Sequence, residues 1–341
     1  MSRLETGPTG SRPNVSAHAS PRLAGRRVTD LSAAAGSVVW LALVGAVRSG
    51  TVGLTAVELY VALAALVLVP LGLGLLEPAR DATAGTAPYT AAVVGQFPAA
   101  LAVVAGLAAP QGSLVAVALV VPWLGVTGSI ALLGVQRLVT RRGGPLHELA
   151  IDTACLYVPV AAVFLSLHAA GISLRFAPII VLLTAVHFHY AGFALPLVVG
   201  LAGRIVAAED GRVETTVADH VAAASTVVIV VGIVLVAVGI TFSPLIEVVA
   251  VAVFTAGVIG FASVLLREVV PAVPRLPGML LALAALSVFW TMALALAFAY
   301  SSLPGTQVLV TIPEMVRWHG SVNAFGFALP ALLAFRLLQK S

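Results

Sequence analysis

Charge is what this chain has least of. Asp, Glu, Lys and Arg make up only 9% of its 341 residues, against about 25% in a soluble domain, too few to cover a water-facing surface. Cysteine is nearly missing too. Cys155 stands alone inside an apolar run, which excludes intrachain disulfides and cysteine-rich metal motifs and leaves it as a small buried apolar residue. Of the eighteen basic residues only Lys340 is not an arginine. With the abundance of Ala, Val and Gly, that bias reads as a G+C-rich prokaryotic gene. The net charge of +4 comes from residues flanking apolar runs, not from a basic patch with interleaved aromatics, so nucleic acid is not an expected partner. No Walker-type phosphate loop, G-x-G-x-x-G, H-E-x-x-H or G-x-S-x-G occurs. No soluble catalytic domain is visible, and the chain is not read as an enzyme.

What is present is apolar. The composition is 60% hydrophobic with a mean hydropathy of +1.09, so lipid is the solvent for most of the chain. Ten apolar runs follow one another at about 31–48, 54–76, 90–109, 113–135, 148–170, 176–203, 220–242, 244–266, 278–300 and 319–338. Each is near the length of about 20 residues that crosses a hydrocarbon core. Long runs without alternation satisfy their backbone in lipid only as helices. The expected fold is therefore an all-α integral membrane protein, one bundle of about ten transmembrane helices over 31–341. Residues 1–30, rich in Pro, Gly, Ser and Arg, are expected to be a disordered basic tail. No convincing cleavage site follows, so the first run reads as a retained helix. Internal Pro70, Pro98, Pro122, Pro159, Pro196 and Pro330 are compatible with membrane helices, whose neighbours re-satisfy kinked backbone.

Orientation follows from alternate loops. With the N-terminus inside, fifteen of the eighteen basic residues fall on the cytoplasmic side and only Arg48, Arg175 and Arg317 outside, which by the positive-inside rule places both termini in the cytoplasm of a plasma-membrane protein. The inner loop 204–219 is mixed in charge and reads as a solvated link. The outer link Ser301–Arg317 is the longest, and its Gln307–Pro313 portion either lies on the surface or dips back as a lid.

An ionisable group in a spanning segment costs roughly 2.5–3.5 kcal/mol on insertion scales, so each is a candidate for function. His187 and His189 fall near the middle of the sixth run. Two residues apart on a helix, they point roughly 200° from each other, so one is expected to face the bundle and the other a different neighbour. His319 and Asn323, four apart at the head of the tenth run, share a face. Glu58 and Glu247 sit about one turn inside the outer ends of their runs, and Gln96 lies in the third. Glu148 and Asp152 open the fifth run, where acids are favoured at a helix N-terminus in any case. His147, His168 and His220 read as interfacial. Gly-Phe-Ala-Leu-Pro occurs twice, at 192–196 and 326–330, which suits either an internal repeat or chance in so biased a composition.

Three stretches carry a family resemblance: Glu148-Leu-Ala-Ile-Asp152 through Tyr157-Val-Pro159, Thr184-Ala-Val-His187-Phe-His189-Tyr-Ala-Gly192-Phe, and His319-Gly-Ser-Val-Asn323-Ala-Phe-Gly326-Phe. In these the chain resembles the YndJ-like family of prokaryotic membrane proteins, with looser similarity around Pro70. The resemblance implies a polytopic membrane protein, sometimes labelled a transporter, and brings no substrate.

Three functions stay open on the residues. The first is a transporter or channel for a small solute or ion, with His187, His189, His319, Asn323 and Glu58 lining an outward-facing polar cavity and a histidine exchanging protons near neutral pH. The second is an intramembrane metal or haem protein whose ligands are His187, His189 and His319, since no Cys cluster and few acids compete for the role. The third is a structural subunit whose histidines only join helices.

Overall fold

The computed structural model describes residues 20–77, 86–209 and 216–339. Among these, ten helices are long and apolar enough to cross a membrane: α1 Val28–Arg48, α2 Ala56–Leu75, α3 Thr86–Ala108, α4 Leu114–Arg141, α5 Leu146–Ala169, α6 Pro178–Ala207, α7 Val217–Phe242, α8 Pro244–Ala272, α9 Arg275–Ser301 and α10 Ile312–Leu338. This is the all-α membrane bundle expected from the apolar runs. Before α1 lies a two-stranded hairpin, β1 (Arg22–Leu23) against β2 (Arg26–Arg27). The described residues begin at Ser20, inside the segment expected as a tail; residues 1–19 lie outside the described residues. Arg27 pairs with Glu77 at 3.2 Å and reaches Gln339, and Arg336 binds Asp30. The first and last helices therefore meet at one end of the bundle, as an even number of crossings requires.

Several helices outrun their apolar runs. α4 continues to Arg141, α8 to Ala272, and α10 begins at Ile312. The added turns hold Gln136, Arg137, Arg267, Glu268, Glu314 and Arg317, residues that a helix can carry once it leaves hydrocarbon. The link after α9 is correspondingly short, and Ile312-Pro313 belongs to α10, opened by a Thr311–Glu314 capping box.

α2 and α6 are the two most buried spans, and the others surround them. Leu66, Leu68 and Leu73 of α2 and Phe193 and Leu197 of α6 are fully buried. Gly72 makes room for the Phe193 ring, which a Cβ there would meet at 2.6 Å. α7, by contrast, turns Val227, Val231, Val234, Leu235 and Val238 outward, as a lipid-facing helix should.

Both central helices contain a wide π-helical turn, Ala64–Leu68 in α2 and Tyr190–Ala194 in α6. α8 has one at Leu265–Val269 and α10 two, Met315–Gly320 and Val322–Ala328. Four of the five end two residues before a proline: Pro70, Pro196, Pro271 and Pro330. A proline ring collides with the carbonyl four residues back and has no N–H to offer it. Widening the preceding turn relieves both problems. The two Gly-Phe-Ala-Leu-Pro segments both fall on such turns. The freed carbonyl of Ala65 accepts from Gln96 Nε2 at 2.6 Å, which satisfies the donor end of an amide buried in α3.

Candidate functional site

His187 and His319 come together. In α6 the Nδ1 of His187 bonds the Leu183 carbonyl at 2.7 Å. In α10 the Nδ1 of His319 bonds the Thr291 carbonyl of α9 at 2.9 Å. A carbonyl only accepts, so each neutral ring carries its proton on Nδ1 and keeps a lone pair on Nε2. The ring centres stand 6.4 Å apart, tilted by 31°, and neither Nε2 has a hydrogen-bond partner among the described residues. Asn323 joins through Thr291, a fully buried residue whose hydroxyl donates to Asn323 Oδ1 at 3.1 Å. The head of α10 is held in place by tyrosines: Tyr60 OH donates to the Val316 carbonyl, and Tyr190 OH to the Tyr60 carbonyl, each at 3.1 Å. Three helices thus fix one small polar centre, with His187 exposed and His319 half-buried.

His189 is directed elsewhere. It is buried, its Nδ1 bonds the Ala185 carbonyl at 2.8 Å, and its Nε2 accepts from Trp123 Nε1 of α4 at 3.1 Å. Both nitrogens are occupied, which makes this ring a tie between helices. Trp123→Phe would leave a buried acceptor unmet and is expected to cost about 1–3 kcal/mol, read as a lower unfolding temperature in detergent, with the His187–His319 pair undisturbed.

Glu58 also lies apart from the pair. It closes a capping box with Thr55 and faces His168 of α5 at 3.9 Å, while Gln111 donates to the His168 carbonyl at 2.9 Å. Glu247 takes a hydrogen bond from Ser302. A cavity of about 160 Å³ adjoins Gln111, His168 and Val181. A groove of about 620 Å³ runs between Tyr60, Ile179, Val316 and Ser321. His187, His189 and His319 line neither, so the histidine-lined cavity expected from the sequence is not seen: His187 presents its ring on the open side of α6 instead of into an enclosed space. Among the described residues no three His, Cys, Asp or Glu side chains converge as metal ligands.

At the end of the bundle near the hairpin is a cluster that the sequence reading passed over. Asp152, fully buried, bonds Arg137 Nε at 2.9 Å and also Arg141. Glu148 takes Arg137 at 2.8 Å, Arg141 at 3.1 Å and Arg204 Nη2 at 3.0 Å. Three guanidinium groups from α4 and α6 thus close on two carboxylates of α5. The clue was available: Arg137 and Arg141 are four apart, as are Glu148 and Asp152, across a short link that forces α4 and α5 to lie antiparallel.

The YndJ-like protein family matches residues 59–327, a range that includes all three stretches that carry the resemblance. The chain is 30% identical over 218 residues to the "Uncharacterized membrane protein YndJ" of Bacillus subtilis (strain 168), a match covering 63% of this chain and 37% of that protein. The chain thus spans little more than a third of that relative's length. No solved structure matches it.

Proposed function

From the premise that the chain belongs to the YndJ-like family of membrane proteins, we propose that it is a transporter or channel for a small solute or ion, its path running beside α6 past His187, His319, Thr291 and Asn323. The observation that carries this reading is the pair of imidazoles at membrane depth, each anchored through Nδ1 with Nε2 unspent. His189, by contrast, spends both nitrogens. The wide turns beside the pair, at Tyr190–Ala194 and Val322–Ala328, are further support, since broken helix geometry in membranes is tolerated where it lines a path or is packed by protein. The basic end of the bundle is cytoplasmic in this reading, and the pair lies in the outer half.

The test is reconstitution into liposomes holding a trapped pH dye. Inward gradients of K⁺, Na⁺ and NH₄⁺ are imposed in turn and proton movement is followed. The expected result is flux above that of empty liposomes, reduced at least tenfold by His187→Ala and by His319→Ala and unchanged by His220→Ala, an exposed ring near one end of α7. Flux that persists in both pair variants, or none under any gradient, overturns the proposal.

A further inference from the structure

We infer that the groove between the heads of α2, α6 and α10 binds one phospholipid of the surrounding leaflet, an acyl chain lying in the groove and the phosphate on Arg317. The inference goes beyond the passage reading and does not rest on it.

The groove lies at the end of the bundle away from the hairpin, where α2, α6 and α10 all begin. Its walls are Ala56, Val57, Ile179, Ile312, Pro313 and Val316, and Arg317 is the only charged residue that lines it. On α10 it extends from Ile312 to Ser321, about 13 Å at 1.5 Å per residue. That is close to the hydrocarbon thickness of one leaflet, roughly 15 Å. Its volume of about 620 Å³ falls in the range of ligand sites, about 300–1,000 Å³. The polar groups beside it are already engaged. Thr55 and Thr311 form capping boxes with Glu58 and Glu314 at the heads of α2 and α10, and the Val316 carbonyl takes the Tyr60 hydroxyl. Water has few partners to gain there, whereas a hydrocarbon chain regains the dispersion contacts that an unfilled slot forfeits. An extended peptide would bring unpaired amide groups into hydrocarbon, which leaves an acyl chain as the matching occupant.

Charge places the headgroup. Arg317 is exposed, and its guanidinium lies over the Trp318 ring at 4.9 Å. Tryptophan is enriched at the membrane–water boundary, so this contact sets the guanidinium at headgroup level. None of the ion pairs among the described residues includes Arg317. Glu314, one turn before it, turns its carboxylate back to the Thr311 N–H and hydroxyl. A guanidinium with its N–H groups unspent binds phosphate through paired, charge-assisted hydrogen bonds. The same molecule that fills the slot with its chain therefore supplies the anion that Arg317 lacks.

The experiment purifies the full chain in mild detergent and counts bound lipid by native mass spectrometry. Phosphatidylglycerol, phosphatidylethanolamine and dioleoylglycerol, which has no phosphate, are then added back in turn. The expected result is one phospholipid per chain, with binding lowered at least tenfold by Arg317→Ala and by Ala56→Trp, which fills the groove from its exposed rim. Arg48→Ala removes another arginine at the same end of the bundle and leaves binding unchanged. Unfolding temperatures confirm that the variants are folded. Equal binding of dioleoylglycerol, displacement of the lipid by inorganic phosphate alone, or retention unaltered in either variant overturns the inference. So does a dimer that holds no lipid and comes apart with Ala56→Trp, which assigns the groove to a second copy of the chain.

Discussion

Asp152→Ala is expected to lower the stability of the bundle by about 3–5 kcal/mol, the usual cost of removing one partner from a buried ion pair. Asp152 is fully buried and receives both Arg137 and Arg141, whose side chains are only 18% and 26% exposed. Without it, three guanidinium groups depend on Glu148 alone, and the surplus positive charge of the cluster rises from one to two. The arginines have long stems and can swing their heads toward water or headgroups, which places the expected loss at the lower end of that range. Asp152→Asn keeps the shape and one acceptor and should lose less. The measurement is thermal unfolding in detergent. An Asp152→Ala variant that unfolds with wild type would show the cluster to be a solvated surface feature. The Asp152→Ala, Arg137→Ala double variant should recover part of the loss, because it removes the orphaned charge along with its partner.

Gly36→Val should detach α1 from the rest of the molecule. A Cβ at Gly36 would stand 1.9 Å from the Leu66 carbonyl oxygen. That oxygen belongs to the backbone of the wide turn in α2, so no side-chain rotation can clear it. Small residues let membrane helices approach this closely, and overpacking costs typically 1–3 kcal/mol, occasionally more. The loss is expected to be local, seen as faster hydrogen exchange in α1 and loss of the Trp40 Nε1 bond to the Leu59 carbonyl at 2.9 Å. Gly45→Ala, on the same helix but with open space around it, is the control and should be neutral or slightly stabilising. Equal exchange rates in the two variants would mean that α1 is held by something other than this contact.

The ten spans were legible because lipid imposes one rule on every crossing segment: about 20 apolar residues with all backbone groups satisfied within the helix. The ends of α4, α8 and α10 were not, because apolarity stops at the edge of the hydrocarbon while helical hydrogen bonding does not. The divergence of His187 and His189 followed from helical angle alone, yet nothing in the spacing said that His187 would be the one to meet His319. That depends on which helices are neighbours, and ten similar apolar runs carry little information about neighbours. Prolines were ambiguous as well. Pro98, Pro122 and Pro159 sit inside regular helices, so proline by itself did not mark the wide turns. The ion cluster was missed for a different reason: each acid had an adequate local explanation at a helix N-terminus, and that explanation left its partners on α4 and α6 unsought.

The wide turn in α6 also acts as a phase shifter. One extra residue in a helical turn rotates everything beyond it by about 100°, so the two halves of α6 keep separate angular registers. The first half is set so that His187 looks toward α10, and the second so that Arg204 looks toward α5. Deleting Ala191 would close the wide turn, set Pro196 against the carbonyl four residues before it, and leave only one of those two directions intact.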